Sequence, residues 1–240
     1  MRNIIKAIII ASVLSIIHFV PVRGQEQKVK IRYTTASLNI RKKPSKKSKI
    51  KGYLRYNEKV RVVKGTKKWF KLVNKKGKTR GYVKKKYLSK KRAKSKEYDI
   101  PEYSGMKSWM DFRKITDTSS PQWKLQEEYA ETGSYGLRTV DGRYCIAIGF
   151  AYNPEIGQYC DLILENDTVI PCVISDQKSH YDTTDDMFTT ETDCFTEFVV
   201  DEESLSYKAH PHGDISDVNE SWGSPVKTIK IYTKKNVLEE

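Results

Sequence analysis

Two rhythms of apolar residues divide the chain. Between residues 31 and 90, short apolar runs alternate with turn residues at the spacing of a small all-β unit. Val60 and Val62 alternate with charged neighbours, and Trp69, Phe70, Leu72 and Val73 form a second run that ends at Asn74 and a turn at 75–78 containing Gly77. Gly81, Tyr82 and Val83 open a strand that finishes near Tyr87 and Leu88, and no helical period runs through the segment. Beyond Gly133 the pattern predicts five further strands, at 144–148, 159–164, 168–175, 196–200 and 226–232. Each is rich in Ile, Val, Leu, Phe or Tyr and bounded by Gly, Asn, Asp or Pro.

Between these regions, Ser120-Pro121 before Gln122-Trp123-Lys124-Leu125 predicts a helix with Ser120 as N-cap and Pro121 in its first position. A second helical stretch is expected at 109–115. Residues 89–97 carry no apolar side chain beyond Ala93 and read as a linker that leaves the flanking domains hinged. At the N-terminus, Arg2 and Lys6 precede an apolar run of 14 residues, 7–20, and Val22 and Gly24 place small residues before Gln25. This is the layout of a secretory signal peptide over residues 1–24, with an uncleaved N-terminal anchor as the alternative. The run is shorter than the ~20 residues of a membrane span, so no transmembrane segment is expected in the mature chain.

Charge sharpens the division. Residues 28–97 hold 29 Lys and Arg against two acids, a net +27, whereas residues 98–240 hold 12 against 27, a net −15. A unit so strongly basic repels itself, and is kept for an acidic partner. For an exported chain the expected partner is an anionic wall polymer or peptidoglycan; nucleic acid, anionic lipid and host glycosaminoglycan are the weaker readings. The wall-binding candidates are Lys42, Lys43, Lys46, Lys47, Lys67, Lys68, Lys84 and Lys85, with the rings of Trp69 and Tyr82. The alternative for each ring is a place in the small core.

The first domain, 28–90, resembles the bacterial SH3 (SH3b) domains of secreted wall hydrolases and envelope proteins. The resemblance rests on Leu38-Asn39-Ile40-Arg41 with Pro44-Ser45, Ile50-Lys51-Gly52-Tyr53-Leu54, Trp69-Phe70-Lys71-Leu72, and Gly81-Tyr82-Val83 with Tyr87-Leu88. Asn57 stands where that family usually has a turn Gly, a substitution compatible with positive φ. After a linker and helical segment at 91–132, residues 133–235 resemble the double-psi β-barrel of secreted three-aspartate proteins. The residues that carry this are Gly142-Arg143-Tyr144-Cys145-Ile146-Ala147-Ile148-Gly149, Ile156-Gly157, Asp161-Leu162-Ile163-Leu164, Ile174-Ser175-Asp176 and Glu197-Phe198-Val199-Val200-Asp201. The fold expected is therefore mainly β: a small SH3-like barrel and a second, six-stranded double-psi-like β-barrel with a short preceding helix.

The second resemblance implies lytic transglycosylase chemistry on peptidoglycan glycan strands, with carboxyls transferring the protons. Asp176, Asp201 and Asp214 are the catalytic candidates, and a turn or capping role is the alternative for each. Gln177-Lys178-Ser179 follows Asp176 where the family commonly has Thr-Gly-Gly, which puts substrate approach in question. A non-catalytic, expansin-like wall-binding or structural barrel is the alternative function, and docking of the −15 half onto a +27 half is a third reading. Four cysteines, Cys145, Cys160, Cys172 and Cys194, allow two disulfides in three pairings or four buried thiols. Their spacing does not suit zinc, the acidic loop 182–193 lacks calcium-loop spacing, and neither metal nor cofactor is expected.

Overall fold

The structure, a computed structural model, describes residues 27–239; the signal-peptide segment lies outside the described residues. The chain is mainly β and forms two large sheets. The first contains β1 (Lys30–Thr34), β2 (Leu38–Arg41), β3 (Ile50–Leu54), β4 (Lys59–Lys64), β5 (Trp69–Val73), β6 (Thr79–Lys84) and β7 (Leu88–Ser89), in the order β3-β2-β6-β5-β4-β1-β7. Alternation places Leu38, Ile40, Leu54, Val60, Val62, Leu72 and Val83 in one apolar cluster. Gly81 lets β6 lie against β2, because a Cβ there would fall 2.6 Å from Ile40 Cγ2 and 2.8 Å from the Arg41 carbonyl oxygen. Asn57 takes the positive φ of 57° that its turn demands.

The second sheet contains β8 (Ser95–Asp99), β9 (Ser108–Asp111), β10 (Glu131–Thr132), β11 (Arg138–Val140), β12 (Arg143–Ile148), β13 (Gln158–Leu164), β14 (Val169–Gln177), β17 (Thr196–Val200) and β18 (Val226–Asn236). The short strands β15 (Thr183–Thr184) and β16 (Phe188–Thr189) pair separately within the acidic loop. Most pairings are antiparallel, but β12 runs parallel to β14 and β17 parallel to β9. Six of the nine strands lie beyond Gly133; the other three come from residues 91–132.

Residues 91–132 thus depart from the linker and helical segment that the sequence predicts. Ser95–Asp99 pairs antiparallel with β18, from Thr228↔Asp99 to Tyr232↔Ser95, and Lys230 Nζ meets Glu97 at 2.7 Å. An edge strand tolerates such a charged sequence because its exposed side chains remain in water, so the apolar alternation that marks a buried strand is missing. Ser108–Asp111 is a strand rather than the start of a helix, followed by a 3-10 turn at Phe112–Lys114 whose Arg113 N–H is accepted by Asp111 at 2.7 Å. Helix α1 (Pro121–Lys124) begins as predicted, with Ser120 Oγ accepting Trp123 N–H at 3.1 Å, and passes into a π-helical turn at Leu125–Tyr129.

The two β units touch, which contradicts the expected hinge. Tyr56, from the turn before β4, is 8% exposed and belongs to a cluster otherwise drawn from the second unit. Its ring stands edge-on to Tyr159 (centroids 5.3 Å apart) and Tyr232 (4.9 Å). Beneath them Arg143 is buried at 1% exposure; its guanidinium lies 4.6 Å from the Tyr159 ring centre, pairs with Asp161, and donates to the Cys160 and Cys172 carbonyls. Asn57 adds reciprocal hydrogen bonds to the backbone of Ala93. The four cysteines are buried free thiols, with Cys160 directly opposite Cys172 in neighbouring strands. Among the described residues no helix is long and apolar enough to cross a membrane.

Candidate functional site

The basic residues of the first unit converge on Trp69. In β5 the residues facing inward are Phe70 and Leu72, opposite Val83 and Gly81, so Trp69 and Lys71 point to the outer face. Trp69 is absent from the apolar cluster of its own sheet, yet only 7% exposed. It lines a cleft of about 680 Å³ together with Lys46, Lys67, Lys68, Lys84, Lys85 and Lys86. The end of β6 with the 3-10 turn at Lys85–Tyr87, the loop between β2 and β3, and the loop between β4 and β5 bring these cations together.

Of the residues that the sequence nominates, Lys46, Lys67, Lys68, Trp69, Lys84 and Lys85 share this groove. Lys42, Lys43 and Lys47 are exposed in the same loop as Lys46 but do not line it. Tyr82 is half-buried on the outer face, opposite Arg41 and Lys71. Lys86, which the sequence shows in the Lys84-Lys85-Lys86 run but which is not among the nominated wall-binding residues, also lines the groove, with its ammonium 4.5 Å from the Tyr87 ring centre. Partial desolvation and the nearby Lys46 push the Lys84 ammonium below its ordinary pKa, and Lys86 acting on its hydroxyl lowers Tyr87. Cations crowded so closely gain from an anion placed among them.

The acidic candidates do not converge. Asp176 sits near the end of β14, where a β-bulge pairs it with Ala147 of β12; Ala147 is in turn opposite Glu197 of β17, and Glu197 is opposite Ser108 of β9. Partners in register point to one face, so Asp176 and Glu197 flank the small Ala147 two strand spacings apart, about 10 Å between backbones. Burial pushes the Asp176 carboxyl up, and Glu197 adds to it. The Gln177 N–H, which donates to Asp176 at 2.8 Å, and the Gln122 side chain act against the shift. Ser108 Oγ donates to Glu197 at 3.3 Å.

Glu197 also lines a cleft of about 250 Å³ with Lys178, Ser179, Asp182, Thr189, Thr190 and Glu191. Lys178 is buried, which lowers its pKa while Glu197 opposes the shift, and it donates to the Cys194 carbonyl at 2.6 Å. Sequence reasoning missed Glu197: alternation sets it on the face opposite Phe198 and Val200 but shared with the buried Val199, so its strand is apolar on both faces and gives no local signal for it.

Asp201 and Asp214 have other partners. Asp201, four residues past Glu197, accepts Arg113 at 3.2 Å, Thr132 Oγ1 at 3.3 Å and Ser204 Oγ at 3.0 Å, in a network that includes Asp111. Asp214 caps a 3-10 turn at Ile215–Val218 through Ser216 N–H at 2.8 Å and accepts Lys107 N–H at 3.2 Å. Lys107 itself is fully buried, with its ammonium 2.8 Å from the Gly105 and Trp222 carbonyls and 3.0 Å from that of Ser224; burial lowers its pKa to about 8. Both aspartates hold loops in place.

Comparison with known proteins matches the bacterial SH3 domain family to residues 36–89. No curated protein matches the chain. Among solved structures, NlpC1 from Trichomonas vaginalis is similar at 14% identity over 85% of this chain and 69% of that one, with a TM-score of 0.24.

Proposed function

We infer cell-wall binding from the bacterial SH3 domain at residues 36–89. On this reading the chain is an exported, wall-associated protein that binds peptidoglycan or an anionic wall polymer through the groove around Trp69. The observation that carries the reading is a buried tryptophan, outside the apolar cluster of its own sheet, that lines a groove with six lysines. The cations suit phosphate or carboxylate, and the buried indole gives the groove an apolar wall. The test is co-sedimentation of the mature chain with purified sacculi, against a variant with Lys46, Lys67, Lys68 and Lys84 changed to Gln. Equal sedimentation of the two would refute the groove.

Glycan cleavage is a second reading, favoured by the raised carboxyl of Asp176 across Ala147 from Glu197. Asp176 would give its proton to the glycosidic oxygen as that C–O bond breaks. A carboxylate of the pair would take the proton of the sugar's 6-hydroxyl as its oxygen closes on C1, giving an anhydro sugar without added water. The parallel pairing of β12 with β14 in a largely antiparallel sheet supports the double-psi barrel reading of residues 133–235. Mass spectrometry for anhydro-muropeptides released from sacculi tests it: release by the wild type that Asp176→Asn abolishes is the expected result. Equal release by both proteins removes Asp176 from the reaction, and no release leaves the non-catalytic, expansin-like reading of the barrel.

A further inference from the structure

The groove around Trp69 does not end within the SH3 domain. Trp69, Lys46 and Lys84 also line a second cleft, of about 720 Å³, whose far wall belongs to the other β unit and includes Asp141 and Lys235. On the near side stand Arg41 and Tyr87. A volume of this size holds one or two monomer units of a polymer. Asp141 is the one carboxylate in its lining, and a site built only for polyanions gains nothing from it, since like charges repel.

Asp141 is nevertheless placed with care. It forms, with Gly142, the two-residue turn between β11 and β12, at φ of 52° and 71°, and Val140 pairs with Arg143 across that turn. One of its oxygens accepts the hydroxyl of Tyr159 at 2.6 Å, and Tyr159 is the buried ring against which Tyr56 packs. The contact that fixes the two units together therefore also aims this carboxylate at the cations of the SH3 domain.

We propose that the cleft between the two units binds an anionic polymer whose repeats also carry primary ammonium groups, such as an aminoacylated polyol phosphate, with Asp141 receiving the ammonium and Arg41, Lys46 and Lys84 the neighbouring phosphate. This rests on the wall-binding reading and names the ligand chemistry of that site. The lysine row that continues past Trp69 through Lys67, Lys68 and Lys85 favours an extended, repeating anion over a zwitterionic peptide end, whose single carboxylate would leave that row unused.

The experiment is isothermal titration of the mature chain with poly(glycerol phosphate) bearing alanyl esters and with the same polymer after mild base has removed them. Asp141→Asn keeps the turn, because Asn tolerates positive φ, and keeps an acceptor for Tyr159. The expected result differs between the two polymers: the variant binds the esterified polymer about three- to five-fold more weakly, the scale of one exposed ion pair, and binds the stripped polymer as tightly as the wild type or tighter. Lys84→Gln weakens both. A change of the same sign and size for both polymers in Asp141→Asn overturns the proposal, as does equal competition by an alanine tripeptide with free termini. Binding of both polymers without any dependence on Asp141 defeats the proposal alone, whereas failure of the wild type to bind either polymer defeats the wall-binding reading with it.

Discussion

Removing the Tyr56 ring should uncouple the two β units. Tyr56 is the side chain of the SH3 domain that enters the apolar cluster of the second unit, where it stands edge-on to Tyr159 and Tyr232 and 6.0 Å from the Arg143 guanidinium. A tyrosine buried to this extent hides roughly 150 Å² or more, so at ~25 cal/mol per Å² its truncation costs about 4 kcal/mol. That agrees with the ~3–5 kcal/mol typical of aromatic-to-alanine changes in cores. Little of this loss falls on the SH3 core, whose seven-residue cluster does not include Tyr56.

Tyr56→Ala should therefore split one calorimetric transition into two, the lower belonging to the SH3 domain, and widen the interatomic distance distribution in solution scattering. Tyr53→Ala is the control: Tyr53 is 73% exposed nearby in β3 and its loss should change neither. A single transition in Tyr56→Ala, with calorimetric and van't Hoff enthalpies still equal, would refute the claim that this ring joins the units.

Three further outcomes follow from individual side chains. Burial raises the Asp176 pKa above its unfolded value of ~3.9, so the charged form is disfavoured in the fold. Its cost to stability therefore grows as pH rises from ~3.9 to the folded pKa and is complete above it, so Asp176→Asn should raise Tm at pH 7 with a gain that vanishes below pH ~4; a loss of Tm at pH 7 contradicts this. Lys107, at about pKa 8 against ~10.4 unfolded, binds fewer protons folded than unfolded between those values, so wild-type stability should rise relative to Lys107→Met by about 3 kcal/mol across that interval. Denaturant midpoints that stay parallel over it speak against the buried ammonium. Trp69→Ala should weaken sacculus binding about tenfold while lowering Tm less than Leu72→Ala, which empties the SH3 core; the reverse order of Tm losses would mean that Trp69 is a core residue.

What the sequence revealed depended on how fully each element is buried. Strands β12, β13, β14, β17 and β18 begin within one residue of their predicted starts, because each packs apolar side chains into a core and its composition shows it. The edge strand Ser95–Asp99 offered Tyr98 as its one large apolar residue among charges, and so resembled a linker. Tyr56 was equally hidden: a lone aromatic in a polar turn carries no sign of the distant rings that will cover it. Asp176 was legible as an acid following an apolar strand. Its partner Glu197 depends on a strand order and a bulged register that no local pattern encodes. The lysines were visible as a count, but which of them surround Trp69 is decided by how two loops and the 3-10 turn after β6 come together.

The salt dependence of wall binding tests the central claim most directly. If the lysine groove around Trp69 holds an anionic wall polymer, the logarithm of the sacculus binding constant should fall steeply and linearly with the logarithm of salt concentration. Changing Lys46, Lys67, Lys68 and Lys84 to Gln should make that slope shallower by up to about four counterions' worth. A binding constant that stays level from low to high salt, or a slope untouched by the four substitutions, would contradict it.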